Sequence, residues 1–226
     1  MSEEGRVRHS SALGAEVVAD EAERAEREAA NALRQAARLR EMIIGALDRP
    51  PFRLRPSAIQ ELNRCAIEGL DAFAGNWRPA GIGIGESDHE PPGAHLVAEL
   101  IEELCDYVND GWDRLSAVHL SSMVMWRMNW IHPFTDGNGR TSRAASYLVL
   151  SVHAGALLPG RETIPEQITS NRKPYYDALE AADKLYKEQK QLGPTLVSDM
   201  EKLIGAMFAQ QLRGALDDAT IGPAAS

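Results

Sequence analysis

The run Ile131-His132-Pro133-Phe134-Thr135-Asp136-Gly137-Asn138-Gly139-Arg140-Thr141-Ser142-Arg143 decides how the rest of the 226-residue chain is read. It joins two stretches of helical apolar periodicity, Leu115 to Trp130 and Thr141 to His153, so a short loop feeds the N-terminus of a helix. Gly137, Asn138 and Gly139 all tolerate φ > 0. Consecutive N–H groups in that conformation converge into an anion-binding nest, which the positive end of the following helix reinforces. Arg140 and Arg143 lie three residues apart on neighbouring parts of one helical face, where two guanidinium forks suit the outer phosphates of a nucleotide. Asp136 offers the carboxylate oxygen that a hard divalent cation such as Mg²⁺ selects. His132, before Pro133, is expected in an extended conformation at the mouth of the loop, where a neutral imidazole serves as general base. Taken singly, each feature has a plainer explanation: a helix–helix turn, a structural histidine, solvated arginines. A base, a cation ligand, a phosphate nest and two anion clamps inside one short run form a nucleotidyl-transfer site.

Outward from that run the chain reads as helical. Val17 to Leu47 is rich in Ala, Glu, Arg and Leu, with Ala29, Leu33, Ala36, Ile43 and Leu47 near helical spacing, and predicts one long amphipathic helix. Pro50, Pro51 and Pro56 end it. Ser57 to Phe73 predicts a second helix, with Ile59, Leu62, Ala66 and Leu70 on one face. Between Gly75 and Gly93 glycines alternate with Ile82 and Ile84, which predicts an extended segment or hairpin. Helices are expected at Leu96 to Val108, Pro174 to Gln189 and Pro194 to Leu212, with a frayed tail from Gly222. The division that follows is 1–13 flexible, 14–49 a leading helix, 50–190 the core domain and 191–226 a C-terminal helix and tail.

Composition removes several classes. Lys and Arg number 24 against 33 Asp and Glu, a net charge of −9, so bulk attraction to nucleic acid or anionic lipid has the wrong sign. Direct nucleic-acid binding is not expected. The two cysteines, Cys65 and Cys105, sit in apolar-periodic stretches and read as reduced core thiols. No run approaches the ~18 apolar residues of a membrane helix, and Met1 to Ser10 carries no apolar segment of a secretory signal, so a cytoplasmic location is expected. His89-Glu90-Pro91-Pro92-Gly93 lacks the second histidine of a zinc protease. Gly81-Ile82-Gly83-Ile84-Gly85 is followed by Glu86 and by no helix, so it is not a dinucleotide fingerprint.

The central run resembles the signature of the Fic (filamentation induced by cyclic AMP) family, His-Pro-Phe-x-Asp/Glu-Gly-Asn-Gly-Arg-x-x-Arg, with every specified position present. Glu68-Gly69, Ala74-Gly75, Trp77-Arg78, Ile82-Gly83-Ile84 and Ser87 to Pro92 look like the helix and flap that precede the motif in that family. Asn171, Tyr175 and Tyr176 look like the helix closing the adenine pocket. The resemblance implies an all-α, Fic-type helical bundle with a short β-hairpin flap and an additional N-terminal helix. It also implies transfer of AMP from ATP to a Tyr, Thr or Ser hydroxyl of a target protein. His132 would be the base, Asp136 the Mg²⁺ ligand, and Gly137, Asn138 and Gly139 the phosphate cradle. Arg140 and Arg143 would hold the β- and γ-phosphates, Phe134 would anchor the loop, and Ile82, Gly83 and Ile84 would dock the target as an added strand.

Within the family, removal of AMP and transfer of other phosphate-linked groups are the alternatives; outside it, an idle nucleotide-binding regulator is. Retention of Gly139 favours ATP and nucleotidyl transfer. Many relatives are held off by a glutamate in a Ser/Thr-x-x-x-Glu-Gly/Asn helix, and no full match occurs here: Ser57 and Glu61 are followed by Leu62, and Glu68-Gly69 is preceded by Arg64. Glu26 and Glu28, shortly before Asn31 in the leading helix, are the candidate inhibitory residues. The rival regulator is a separate antitoxin-like partner.

Overall fold

Two almost wholly buried helices, α4 (Ala117–Ile131) and α5 (Asn138–His153), make the most extensive interhelical contact of the chain and carry the signature loop between them. Their side chains run Met123, Val124, Met125, Trp126 and Met128 against Ala145, Leu148, Val149 and Leu150, all at or near zero exposure. A helix apolar on every face belongs at the centre of a bundle. The computed structural model describes residues 16–84, 89–160 and 162–221. The expected flexible N-terminus (1–13), the flap residues 85–88 and the tail 222–226 lie outside them.

Among the described residues the remaining elements are α1 (Glu21–Asp48), α2 (Pro56–Ile67), a 3₁₀ turn (Ala94–Leu96), α3 (Val97–Gly111), α6 (Ile164–Ser170), α7 (Lys173–Gln189) and α8 (Ser198–Ile221). The class is all-α, a helical bundle with a leading helix. Helices α1 and α2 pack on α5, while α7 and α8 pack on α4 and on each other. The segment from 76 to 84 is non-helical, as expected, and forms no regular strand among the described residues.

Four boundaries differ from expectation for local reasons. Helix α2 stops at Ile67, short of Phe73, because Gly69 turns left-handed at φ 76° and the chain then pairs antiparallel with residue 16, Val17 N–H donating to the Leu70 carbonyl at 3.0 Å. That pairing also delays α1 to Glu21, where the Asp20 carboxylate caps the Glu23 N–H at 2.8 Å. Helix α6 was not expected; the Thr163 N–H donates to the Glu166 carboxylate at 2.7 Å, and Pro165 occupies its first turn. Helix α8 begins after Pro194, at Ser198, and extends to Ile221.

The leading helix docks through polar groups as far as Arg38, while Leu39, Met42, Ile43, Ala46 and Leu47 pack on the core beyond it. Leu33, counted above in its apolar stripe, is 75% exposed, whereas Asn31 is buried and donates to the Glu68 carbonyl at 3.0 Å. Gln35 donates to the Leu62 carbonyl at 2.9 Å, and Arg38 meets Glu61 at 3.1 Å. Both cysteines are buried and free, and burial pushes the Cys105 thiol up to about 12, so neither is a nucleophile.

Candidate active site

The loop between α4 and α5 is fixed by side chains that bond to its backbone. Asn138 accepts from the Phe134 N–H and donates to the Phe134 carbonyl, both at 2.9 Å. Asn63 of α2 donates to the Asp136 carbonyl at 3.0 Å and accepts from the Gly75 N–H at 2.9 Å. Thr135 donates to Asp71 at 2.8 Å, and fully buried Phe134 packs on Trp77 with ring centroids 5.0 Å apart. The sequence reading missed Asn63 and Asp71, whose partners lie 73 and 64 positions away.

The nest differs from the expected three-residue form. Only Gly137 takes φ > 0, at 74°; Asn138 and Gly139 are already the first residues of α5. A Cβ at Gly137 would lie 2.7 Å from Ile67 Cγ2, so both the conformation and the space require glycine. The candidate anion site is thus a left-handed glycine leading into a helix N-terminus, with Thr141 N–H donating to the Gly137 carbonyl at 2.8 Å. Because the Asn138 side chain is engaged in the loop, what it can offer an anion is its main chain.

His132 is not extended. It ends α4 at φ 52°, ψ 59°, against the preference of a residue before proline, because three contacts over-determine it. Its N–H donates to the Met128 carbonyl at 3.0 Å, its carbonyl accepts from Arg78 Nε at 2.8 Å, and its Nδ1 faces the Asn129 carbonyl at 3.2 Å. A carbonyl only accepts, so Nδ1 carries the proton and Nε2 holds the lone pair. Nε2 is buried without a hydrogen-bond partner. Burial lowers the histidine to about 4, with smaller contributions downward from His89 and Arg78 and upward from the Asn129 carbonyl and Asp136. The imidazole is therefore neutral at pH 7, its basic nitrogen unused.

A cavity of about 580 Å³ gathers His132, Asp136, Gly137, Asn138, Gly139, Arg140, Arg143, Tyr175, Tyr176, Ile84 and Glu28 on one wall system. It leaves out Ile82, Gly83, exposed Glu26 and exposed Asn171, the last of which terminates α6. Arg24, His89, Asn129, Trp130, Arg172, Leu179 and Asp183 line it without having been expected. On α7 the spacing of Arg172, Tyr176, Leu179 and Asp183 at three and four residues would have revealed one inward face.

Charge in the cavity is divided. Arg140 Nη2 meets Asp136 Oδ2 at 3.0 Å and Nη1 reaches the Ala66 carbonyl at 3.3 Å, while Asp136 Oδ1 accepts from the Gly137 N–H at 2.5 Å. Arg143 has no hydrogen bond or ion pair among the described residues. Burial, and to a lesser degree Arg172 and Arg140, disfavour its charge, while Tyr175 and Tyr176 partly offset them. Behind it, Tyr175 is 2% exposed and its hydroxyl is bonded to Asn129 Nδ2 at 2.8 Å. Glu28 faces the cavity from α1 but pairs with Arg24 at 3.4 Å, not with Arg143. Among the described residues no cluster of three or more His, Cys, Asp or Glu can hold a metal by itself. Asp136, the cavity carboxylate beside the loop glycine, fits Mg²⁺, which keeps waters and is commonly shared with phosphate oxygens.

The fold and this loop define an all-helical domain with an anion cradle at the start of its central helix. Residues 53–150, a little under half of the chain, match the Fic/DOC family model. The chain is similar to the protein adenylyltransferase Fic of Drosophila willistoni, 32% identical over 127 residues that make up 55% of this chain and 24% of that protein. It therefore spans about a quarter of the length of the curated relatives it matches. Among solved structures, a Fic domain containing signaling protein from Bacteroides thetaiotaomicron superposes with a TM-score of 0.68 at 20% identity, over 86% of this chain and 73% of that one. Fic-1 of Caenorhabditis elegans superposes with a TM-score of 0.61 at 20% identity, over 89% and 55%. At these identities the superpositions establish the shared fold.

Proposed function

We propose that this chain transfers AMP from Mg-ATP to the hydroxyl of a Tyr, Thr or Ser side chain on a target protein, releasing pyrophosphate. The observation that carries the reading is that the buried, unpartnered His132 Nε2 and the partly exposed Arg143 guanidinium, which has no hydrogen bond or ion pair among the described residues, line one cavity. A buried polar group without a partner is costly. The pair fits a ligand that supplies a proton to the imidazole and negative charge to the guanidinium. The names of the relatives, protein adenylyltransferases, support the same reading.

The chemistry follows from these positions. The target hydroxyl gives its proton to His132 Nε2 as its oxygen bonds to the α-phosphorus and the bond to the β-phosphate bridging oxygen breaks. Gly137 and the first N–H groups of α5 stabilise charge on the phosphate oxygens, and Arg143 and Arg140 hold the departing pyrophosphate. Mg²⁺ bound with the nucleotide would neutralise phosphate charge. Asp136 would hold it, which requires Asp136 to exchange its Arg140 partner for the ion. The flap residues Ile82, Gly83 and Ile84 offer backbone to the target, Ile84 standing at the cavity wall. Glu28 is the candidate brake, because it is the α1 carboxylate at the cavity; Glu26 faces solvent. A separate inhibitory partner remains the rival for that role.

The test is to incubate the chain and Mg²⁺ with ATP labelled at the α- or the γ-phosphate, in cell extract, and to identify labelled proteins by mass spectrometry. Label from the α-position alone is expected. Label from the γ-position would make the chain a phosphotransferase, and ATP binding without label would make it a nucleotide-binding regulator.

A further inference from the structure

Arg78 is 2% exposed, yet no carboxylate pairs with it among the described residues. Among the described residues its hydrogen-bond partners are all main-chain carbonyls. Nε donates to His132 at 2.8 Å, Nη1 to Ala80 at 2.9 Å, and Nη2 to Pro92 and, at 3.4 Å, to Ile131; its own N–H donates to Pro133 at 2.9 Å. Three consecutive carbonyls, Ile131, His132 and Pro133, thus converge on one residue. The other two, Ala80 and Pro92, stand at the two feet of the flap. Burial disfavours the charge of Arg78, so among the described residues a desolvated cation is held here by carbonyl dipoles.

The geometry of His132 needs such a holder. A left-handed, pre-proline histidine lies outside its preferred conformations and persists only where its surroundings over-determine it. The helix end fixes its N–H and Asn129 fixes its Nδ1, but only Arg78 fixes its carbonyl among the described residues. A planar fork with five donors spans carbonyls from two segments at once, which an ammonium cannot do. Arg78 touches the cavity nowhere, so it does not meet substrate.

We propose that Arg78 is the positioning residue of His132, locking the feet of the flap and the peptide of the general base into one rigid unit. This rests on the reading of His132 as the base. A target seated on the flap is then registered against Nε2 through a single side chain, while the phosphate cradle, braced separately by Asn63 and Asn138, is independent of it.

The experiment measures, for Arg78→Ala and Arg78→Lys in the full chain, the thermal midpoint, the ATP dissociation constant and the single-turnover rate of label transfer from α-labelled Mg-ATP into extract proteins. Transfer is expected to fall by about 10²-fold, the cost of a misplacement near 1 Å, with ATP affinity within twofold of wild type. Added guanidinium ion should restore part of the rate to Arg78→Ala and none to Arg78→Lys, whose ammonium fills the space. If Arg78→Ala does not fold, Arg78→Lys carries the split between transfer and binding. Wild-type transfer in a folded variant, or ATP affinity lost in proportion to transfer, overturns the proposal. His132→Ala is the control: wild-type transfer by it would instead overturn the reading of the base.

Discussion

The signature loop and the leading helix α1 border the same cavity but are built on opposite terms. From His132 to Arg143 the backbone is held by buried hydrogen bonds from α2, the flap feet and its own asparagine, and one non-glycine residue is forced left-handed. As far as Arg38, helix α1 meets the body through largely exposed ion pairs such as Arg34–Glu68 and Arg38–Glu61, and only Asn31 and Ile43 are fully buried along the helix. Buried, over-determined contacts fix atoms to the tolerance chemistry requires, whereas exposed pairs are worth about 0–1 kcal/mol each and can be exchanged. The difference fits the proposed reading, which asks catalysis of the first region and adjustable control of the second.

The sharpest way to break that division is His132→Ala. Loss of a general base costs about 10²–10⁴-fold in transfer, and ATP binding should survive, since the phosphate cradle lies beyond the imidazole. Rapid-mix labelling with α-labelled ATP beside calorimetry of ATP binding checks both halves. Retained transfer would return His132 to a purely structural part.

Gly137→Val attacks the cradle. Its Cβ would stand 2.7 Å from Ile67 Cγ2 and 3.1 Å from Asn63 Nδ2, and φ 74° is closed to a β-branched residue. ATP binding should disappear in calorimetry and stability should drop by about 1–3 kcal/mol in urea titration. Normal ATP affinity in this variant would place the anion site elsewhere.

A third expectation concerns pH. His132 titrates at about 4 in the folded chain against an ordinary 6.5, so as pH falls the unfolded chain takes up this proton first. Its contribution to stability is whole above about pH 6.5, is lost between there and about pH 4, and amounts to roughly 3 kcal/mol at most. Denaturant titrations of wild type and His132→Gln at several pH values isolate it: the difference between them should narrow on the acid side. A constant difference would mean that the histidine is not held neutral by the fold.

These contrasts also track what the sequence discloses. Gly137, Asp136, Arg140 and Arg143 are legible because glycines, carboxylate and guanidinium stand close together in a loop–helix frame and act through local geometry. The left-handed His132 is not, because the local rule for a residue before proline points the other way and is overruled by Arg78, 54 positions distant. Asn63 reads as an ordinary polar residue of α2 until its partner 73 positions away is seen. Long-range side-chain to backbone bonds leave no periodic trace. The polar docking of α1 escapes for the same reason, since an apolar stripe containing exposed Leu33 promises a face that Asn31 and Gln35 in fact provide.

The smallest effect, and the one that refines the role of α1, is expected from Glu28→Gln. Glu28 brings negative charge to the cavity proposed to take phosphate, but Arg24 answers it at 3.4 Å and is itself held by Glu16 at 3.0 Å. A carboxylate so paired does not close the Arg143 fork; it only lowers the potential an incoming anion meets. Glutamine keeps the length and helix propensity of the side chain, so packing is unchanged and only the charge is removed. Arg24 then retains Glu16 and presents more of its charge to the cavity. Because the pair is partly exposed, the gain should be small, less than about fivefold in ATP affinity or auto-modification, and it should shrink as salt is raised. A brake that truly occupied Arg143 would give a far larger and salt-resistant release, since a bidentate carboxylate would have to leave before phosphate entered. Parallel labelling of wild type and Glu28→Gln at low and high salt separates the two. A small, screened effect assigns α1 an electrostatic influence on the cavity, whereas a large one means that Glu28 leaves Arg24 for Arg143 in solution.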